Sequence, residues 1–247
     1  MSMGSVAMVA ALASLAVSST ASRDVVELRP DLAVEQLAPG VWRHTSYKNL
    51  PTYGNTPANG MIVVSDSAAM VVDTPWTNEQ MEVLGAWLAD SLHARVIVAV
   101  PCHAHDDCIG GLGAAHRMGA TSYALNQTLE FAKRDGKEIP QNAFADSMSL
   151  TIGAREILLL HAGPGHTPDN IVAWVPDQKV LFGGCLVRSA HAKSLGNTAE
   201  ADLQGWPGTI RTLLARFPDA GIIIPGHGAP GGLDLLDHTL ALLAERE

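Results

Sequence analysis

The chain has 247 residues, of which 47% are hydrophobic and 17% are charged. This balance excludes a disordered, collagen-like or coiled-coil protein, and the length suits one large domain. Sixteen basic and 25 acidic side chains give a formal net charge of −9, which disfavours binding to nucleic acid or to anionic membranes. Three cysteines are too few, and odd in number, for a disulfide scaffold.

The first 22 residues differ in composition from the rest of the chain. Arg23 is the first charged side chain, and residues 5–21 are mostly Ala, Val, Leu, Met and Ser, ending in small residues. We therefore predict a secretory signal peptide over residues 1–22 and a single exported domain over residues 23–247. Because Lys and Arg are missing from the first residues, a membrane anchor or a start codon placed too far downstream is the alternative.

Short apolar runs and amphipathic stretches follow one another along the mature chain. Helices are predicted between the runs, and Thr77 begins the first with a capping-box pattern. This order predicts central sheets covered by outer helices, in two similar halves. Polar residues 44–60 are predicted to form a surface hairpin or a mobile flap over a site, and residues 189–201 a second loop. The predicted strands span residues 61–64, 69–72, 96–100, 157–160, 171–175, 180–182 and 222–224, and the predicted helices span 77–92, 126–137, 206–217 and 233–245.

Candidate metal ligands directly follow the predicted strand that ends at Val100. His103 and His105 are alternate residues, so their side chains can point to one place, and Asp107 continues the alternation. Imidazole and carboxylate are common zinc ligands. Taken alone, the motif is compatible with a metal site or with a chance histidine-rich loop.

Three further candidate ligands lie beside glycines where other predicted strands begin or end. His166 lies in a glycine-rich turn, Cys185 follows Gly183-Gly184, and His227 lies between two glycines. Glycine lets the backbone approach a site closely, and strand ends at one edge of a sheet cluster in space. The six side chains together therefore predict two zinc sites.

These motifs resemble the metallo-β-lactamase superfamily over about residues 35–240. Within that superfamily, Cys185, the cation Arg188 three residues later and Gly196-Asn197 resemble subclass B1. The stretches that begin at Asn197 and Pro225 are similar to the VIM-type branch. The resemblance implies an α/β fold of the αββα sandwich type, in which two mixed β-sheets are flanked by helices and the site lies at one edge of the sheets.

The resemblance also implies a role for each site residue. Asp73 would support the ligand loop from beneath the metals, although a helix-capping role is the alternative. Arg188 stands where Lys is common in subclass B1 and would bind the substrate carboxylate, while Asn197 would bind substrate and stabilise the oxyanion. Asp107 would also orient the nucleophile. Two zinc ions per subunit are implied, the first bound by His103, His105 and His166 and the second by Asp107, Cys185 and His227.

The implied activity is hydrolysis of β-lactam antibiotics by zinc-bound hydroxide, which gives antibiotic resistance. Penicillins, cephalosporins and carbapenems are the expected substrates of a periplasmic monomer with no stable membrane association. A thioesterase or lactonase of the same fold is the first alternative, which Cys108 and Cys185 disfavour. A zinc-binding protein without turnover is the second. A redox diiron enzyme is the third, but the chain lacks room for the flavin domain it would need.

The remaining cysteines and histidines match no ligand position of this pattern. Cys108 directly follows Asp107 and would lie beside the second metal, where we predict packing as a small buried residue in preference to a ligand role; Cys102 is likewise predicted to pack. Six histidines are predicted to be surface or ordinary core residues, namely His44, His93, His116, His161, His191 and His238.

Overall fold

A computed structural model describes residues 24–245, in which the strands form two sheets. The predicted signal peptide, residues 1–22, lies outside this range. In the first sheet the strands follow chain order, antiparallel as far as the fifth strand and parallel from there to the eighth. These strands are β1 (Val25–Arg29), β2 (Leu32–Ala38), β3 (Val41–Leu50), β4 (Gly54–Ser65), β5 (Ala68–Val72), β6 (Arg95–Val100), β7 (Thr121–Leu125) and β8 (Asn142–Phe144).

The second sheet contains the five remaining strands of the described range. The ninth to twelfth strands pair antiparallel with their neighbours, and the thirteenth joins the edge parallel to the twelfth. These strands are β9 (Ser147–Ile152), β10 (Arg155–Leu160), β11 (Val172–Val175), β12 (Val180–Gly184) and β13 (Ile222–Pro225).

Helices cover the outer faces of both sheets. The first begins as predicted, because the Thr77 side chain caps it by accepting a hydrogen bond from the Gln80 N–H. Within residues 24–245, no helix has the length and apolar character needed to cross a membrane. The helices are α1 (Asn78–Leu92), α2 (Asp106–Ile109), α3 (Leu112–Arg117), α4 (Asn126–Arg134), α5 (Trp206–Arg216) and α6 (Asp234–Ala244), with a short 3₁₀ helix at Pro176–Gln178.

Apolar side chains form three layers of core. Met61 and Phe182 belong to the layer between the two sheets. Leu84 of α1 packs on the outer face of the first sheet, and Ile210 of α5 packs on the outer face of the second. The layer order helix, sheet, sheet, helix confirms the αββα sandwich that the resemblance implied.

The polar stretch 44–60 forms the paired ends of β3 and β4. Their register runs continuously from Val41 opposite Val63 to Leu50 opposite Gly54, so only residues 51–53 form the turn. The expectation of a loop was wrong for most of this stretch, and its surface-hairpin alternative was right. Residues 51–55 are exposed, so this end of the hairpin is held by main-chain hydrogen bonds between the strands and not by apolar packing. For that reason the sequence shows no apolar pattern here.

Candidate metal centre and active-site cavity

All six predicted metal ligands meet where strands of both sheets end. His103, His105 and Asp107 lie between β6 and the start of α2. His166 lies in the connection between β10 and β11, Cys185 follows β12, and His227 follows β13. The ligands therefore come from both halves of the sandwich.

Asp107, Cys185 and His227 form one tight group of donor atoms. The Cys185 Sγ atom lies 3.5 Å from Asp107 Oδ2 and 3.4 Å from His227 Nε2. The His227 Nε2 and Asp107 Oδ2 atoms are 3.2 Å apart. Ligands at zinc–donor distances of about 2.0–2.3 Å in tetrahedral geometry lie roughly 3.3–3.7 Å from one another. The spacing and chemistry of this donor set therefore fit zinc.

The three remaining histidines form a second group directly beside the first. Their ring centroids are separated by 4.6 Å for His103 and His105 and by 5.1 Å for each of the other two pairs. The His105 Nδ1 and His166 Nε2 atoms are 3.2 Å apart. Three imidazoles grouped in this way are candidate ligands for a zinc site with an open fourth position. Ligand atoms of His103, His166 and Cys185 all lie within 4.8 Å of one another, so the two groups adjoin.

Oxygen atoms outside the ligand set determine which nitrogen of two ligand rings faces the cluster. The Glu200 Oε2 atom lies 2.8 Å from His105 Nε2, which leaves Nδ1 for a metal. The main-chain oxygen of Pro57 lies 2.5 Å from His227 Nδ1, which leaves Nε2. Metal-binding histidines are typically oriented in this way. Glu200 was missed by the sequence analysis, because nothing in its local sequence shows that it reaches His105.

Hydrogen bonds from buried groups hold the backbone of the ligand loop. Asp73 adopts a left-handed backbone conformation (φ 55°), which Asp tolerates better than most residues, and its Oδ1 accepts from Cys102 N–H at 2.6 Å. Asp169 Oδ2 accepts from Ala104 N–H at 3.0 Å. Asp73 thus contacts the ligand loop, whereas Thr77 caps α1.

The hairpin is bonded to the turn that carries His227. The side chain of Asn59 donates to the main-chain oxygens of Pro225, at 2.9 Å, and Gly228, at 2.7 Å. Its own main-chain N–H donates to Gly226 O at 2.8 Å. The base of the hairpin is therefore a fixed part of the site, and only its exposed end extends beyond.

Cys108 lies against the ligand cluster as well as in the core. Its Sγ atom is 3.2 Å from His103 Nδ1, and ligand atoms of Cys108, His103 and Asp107 lie within 4.8 Å of one another. Cys108 is buried, as the packing prediction requires. Its contact with His103 was not predicted from the sequence. Cys102 is buried in the layer between the sheets, as a packing role requires.

Charges within the cluster favour anionic ligands. A hydrogen bond with Cys108 holds the pKa of the Cys185 thiol well below its usual value, although burial opposes this, and the nearby charge of His227 lowers it further. Burial raises the pKa of Asp107, but the hydrogen bond with His227 and that ring's charge outweigh burial and leave the pKa far below its usual range. A thiolate and a carboxylate beside the rings of His103 and His166, whose pKa values are lowered by burial, suit a divalent cation.

A cavity of about 600 Å³ opens above the two groups. Arg188 and Asn197 lie on its wall together with His105, Asp107 and His227. A Cβ atom at Gly196 would lie 3.3 Å from an Arg188 Nη atom, so the missing side chain lets the guanidinium come close to the Gly196-Asn197 backbone. The Arg188 Nε atom has no hydrogen-bond partner within residues 24–245. Burial lowers the pKa of Arg188 from its ordinary value, yet a guanidinium stays charged at neutral pH.

Comparison with known proteins identifies the family. The metallo-beta-lactamase superfamily model matches residues 53–227. The chain belongs to the metallo-β-lactamase superfamily. The metallo-beta-lactamase type 2 of Bacteroides fragilis is 40% identical over 214 residues, which cover 87% of this chain and 86% of that protein.

Solved structures of metallo-β-lactamases share the same fold. A metallo-beta-lactamase from Pontibacter korlensis matches with a TM-score of 0.83 and 41% identity, covering 86% of this chain and 99% of that chain. FIM-1 from Pseudomonas aeruginosa, solved in a mono-zinc form, matches with a TM-score of 0.82 and 34% identity over 89% of this chain and 99% of that chain. The resemblance on which the sequence analysis relied is thereby confirmed.

Several histidines outside the predicted ligand set make local contacts in this metallo-β-lactamase fold. His116 bridges Glu138 and Ser122, each at 2.7 Å. His161 and His238 contact main-chain oxygens, and His93 ends α1. His44 is fully buried, with Nε2 2.8 Å from the main-chain oxygen of Asp73. His191 is exposed.

Proposed function

We propose that this protein opens the β-lactam ring of penicillins, cephalosporins and carbapenems with two zinc ions per subunit, and so gives antibiotic resistance. The observation that carries the proposal is the donor set at the floor of the cavity. Asp107, Cys185 and His227 have zinc-like spacing beside three further imidazoles, and Arg188 supplies a cation above them.

The proposed ligands divide into the two adjacent groups. His103, His105 and His166 would hold the first zinc, and Asp107, Cys185 and His227 the second. Zinc in such sites supplies an activated water at neutral pH and polarises a carbonyl group. Glu200 and Pro57 would keep His105 and His227 turned toward the metals, and Asp73 would hold the loop beneath them.

Arg188 would bind the carboxylate that β-lactam substrates carry beside the ring nitrogen. Its planar guanidinium can bind both carboxylate oxygens at once, which orients the ring as well as attracting it. The place of the guanidinium next to Gly196 and on the cavity wall supports this role.

Asn197 and Asp107 would act on the reacting groups. Asn197 Oδ1 accepts a hydrogen bond from Ala199 N–H at 3.1 Å, which turns the Nδ2 donors to the other side of the amide. From the cavity wall these donors can stabilise the negative oxygen that forms when the lactam carbonyl is attacked. The ionised Asp107 carboxylate would orient the attacking water by accepting a hydrogen bond from it.

The end of the hairpin would cover the apolar part of the drug. Leu50, Tyr53 and Pro57 line the cavity from the hairpin, and Trp76 lines it from the segment before α1. Tyr53 is 61% exposed, so its ring is available for a ligand to cover.

Where the protein works follows from its substrates. Because β-lactams act outside the cytoplasm, we place the enzyme in the periplasm, as a monomer of residues 23–247 released from its signal peptide. No nucleic acid or stable membrane partner is expected of so acidic a chain.

A hydrolysis panel tests the proposal. We expect purified protein with added Zn²⁺ to hydrolyse a penicillin, a cephalosporin and a carbapenem, to lose that activity in EDTA, and to regain it with Zn²⁺. A thioester and a lactone serve as controls for other hydrolases of this fold. Full activity after exhaustive EDTA dialysis, with zinc content confirmed near zero, would refute the metal mechanism. A zinc-loaded protein that opens no β-lactam would refute the substrate class.

A further inference from the structure

Lys137 is a cation on the cavity wall to which the proposed reaction assigns no role. It lies just after α4, in a turn that is fixed by main-chain hydrogen bonds. Gly136 adopts a left-handed conformation (φ 64°), and Lys137 N–H donates to Ala132 O at 2.9 Å. Together with the Gly136 N–H bond to Lys133 O, this is a Schellman ending. The base of the Lys137 side chain is therefore fixed.

The ammonium group of Lys137 reaches the segment that carries the metal ligands. Its Nζ atom donates to the main-chain oxygen of Ala104 at 2.7 Å and lies 3.0 Å from Asp106 Oδ1. Ala104 stands between His103 and His105, and Asp106 between His105 and Asp107. One side chain thus contacts both residues that separate the three ligands of this loop.

Three other main-chain groups of this loop segment have partners from the interior. Cys102 N–H and Ala104 N–H donate to buried carboxylates, and Cys102 O accepts from Ile171 N–H at 3.0 Å. Ala104 O is held from the cavity side, by Lys137. Rotation of that carbonyl turns the peptide that joins Ala104 to His105, and with it the imidazole that lies 3.2 Å from His166.

We propose that Lys137 is a positioning residue that sets the affinity of the first metal site by fixing the Ala104 carbonyl. The inference rests on the proposed metal-binding function. Lys48 Nζ also lies 3.8 Å from Asp106, so Asp106 keeps a cation when Lys137 is replaced. The carbonyl of Ala104 is therefore the group that depends on Lys137.

Three variants separate this role from general effects. Lys137→Met removes the charge and the donors at similar volume, and Lys137→Arg restores both. Lys133→Met removes an exposed lysine from α4, the helix that precedes Lys137, and serves as the matched control. Circular dichroism and the melting temperature of the metal-free proteins establish that each variant folds.

The main measurement is zinc affinity, by competition with a chromogenic chelator. We expect Lys137→Met to bind its first Zn²⁺ about tenfold to a hundredfold more weakly, as is usual when a group that orients a ligand is lost. Lys137→Arg should recover most of the affinity, and Lys133→Met should match the unaltered protein. The visible spectrum of the Co²⁺-loaded protein should change for Lys137→Met alone, because it reports ligand geometry.

Two results would overturn the proposal. One is zinc affinity for Lys137→Met within about twofold of the unaltered protein. The other is an increase in KM at unchanged zinc affinity and kcat, which would make Lys137 a substrate-binding residue. A protein that binds zinc as expected but opens no β-lactam would refute the proposed function and leave the affinity result valid.

Discussion

Cys185 brings a soft sulfur atom into a group of candidate ligands that otherwise has one carboxylate and one imidazole. Its side chain is 3% exposed, and its sulfur contacts both Asp107 and His227. A buried thiolate needs a positive partner, since burying an unpaired charge is costly. Its low pKa in this position is what a metal ligand requires.

Replacing this sulfur tests the assignment of the second site. We expect Cys185→Ser to lose one zinc and to keep the other, because a neutral hydroxyl is a far weaker ligand than a thiolate. Hydrolysis should fall by roughly two orders of magnitude or more, which corresponds to about 3 kcal/mol in the barrier. Metal analysis and hydrolysis rates are the measurements.

Cys108→Ser provides the comparison for Cys185→Ser. Cys108 approaches the ring of His103 but lies outside the proposed ligand set, so this variant should keep two zinc ions. If Cys108→Ser lost a zinc while Cys185→Ser kept both, the second site would have to be rebuilt around Cys108, His103 and Asp107.

The hairpin β3–β4 has two structural roles. Its base holds the His227 turn through Asn59, and its end presents Leu50 and Tyr53 to the cavity. A change at the end should therefore affect substrate contact without disturbing the metal ligands.

Tyr53→Ala tests this separation. We expect KM to rise roughly threefold to tenfold with kcat nearly unchanged, because the ring gives apolar contact to substrate and transition state alike. The melting temperature should stay close to that of the unaltered protein, because the side chain is 61% exposed. Steady-state kinetics with one cephalosporin are sufficient, and Tyr53→Phe should behave like the unaltered protein. An unchanged KM in Tyr53→Ala would show that the hairpin end does not contact the substrate.

The elements that could be predicted from sequence are those with a continuous apolar pattern. β6 and β10–β13 were found in this way, because they are central or covered by helices and by the facing sheet. β1–β3 and β7–β9 were missed, since their strands are short, lie toward sheet edges or alternate between buried and exposed positions. Whether such a segment forms a strand depends on its packing against neighbouring strands, which the local sequence pattern does not show.

The site shows the same division between local and tertiary information. The convergence of the six proposed ligands could be predicted because their spacing and their glycine neighbours are local. Glu200, Asn59 and Lys137 could not, because each acts on a residue more than thirty positions away along the chain. Only the folded chain shows these contacts.

Because the proposed ligands come from both sheets, metal binding would be coupled to folding. Three of them follow β6 of the first sheet, one lies between β10 and β11 of the second, and two follow β12 and β13. Bound metal would cross-link the two halves of the sandwich and stabilise the native state by its binding free energy. Stability measured without metal therefore reports the protein's own contacts.

The burial of His44 predicts how the free energy of unfolding depends on pH. Burial lowers the pKa of His44 from 6.5 to about 4, although the hydrogen bond with Asp73 O opposes this. Between pH 6.5 and 4, His44 is protonated in the unfolded chain but stays neutral in the folded chain. The free energy of unfolding therefore falls as the pH falls toward 4. The loss from this group alone is about 3 kcal/mol.

Urea unfolding in EDTA at pH 7, 6 and 5 measures this dependence. Burial also lowers the pKa of His103 and of His166, so His44→Gln is the necessary comparison: glutamine can still donate to Asp73 O but takes up no proton. We expect the variant to lose less stability than the unaltered protein between pH 7 and 5. Equal losses in the two proteins would show that His44 does not cause the effect.

The way the hairpin end is held bears on how the proposed antibiotic resistance could evolve. Main-chain pairing fixes its shape, and residues 51–55 are exposed, so side chains there can be exchanged at little cost in stability, except at Gly54, whose backbone is left-handed (φ 67°). The ligand cluster, by contrast, is tied to Asn59, Asp73 and Asp169 in the interior. A bacterial population exposed to a new antibiotic could therefore sample enzymes with altered substrate preference through changes at Tyr53 and Asn55, while the proposed metal ligands stay in place.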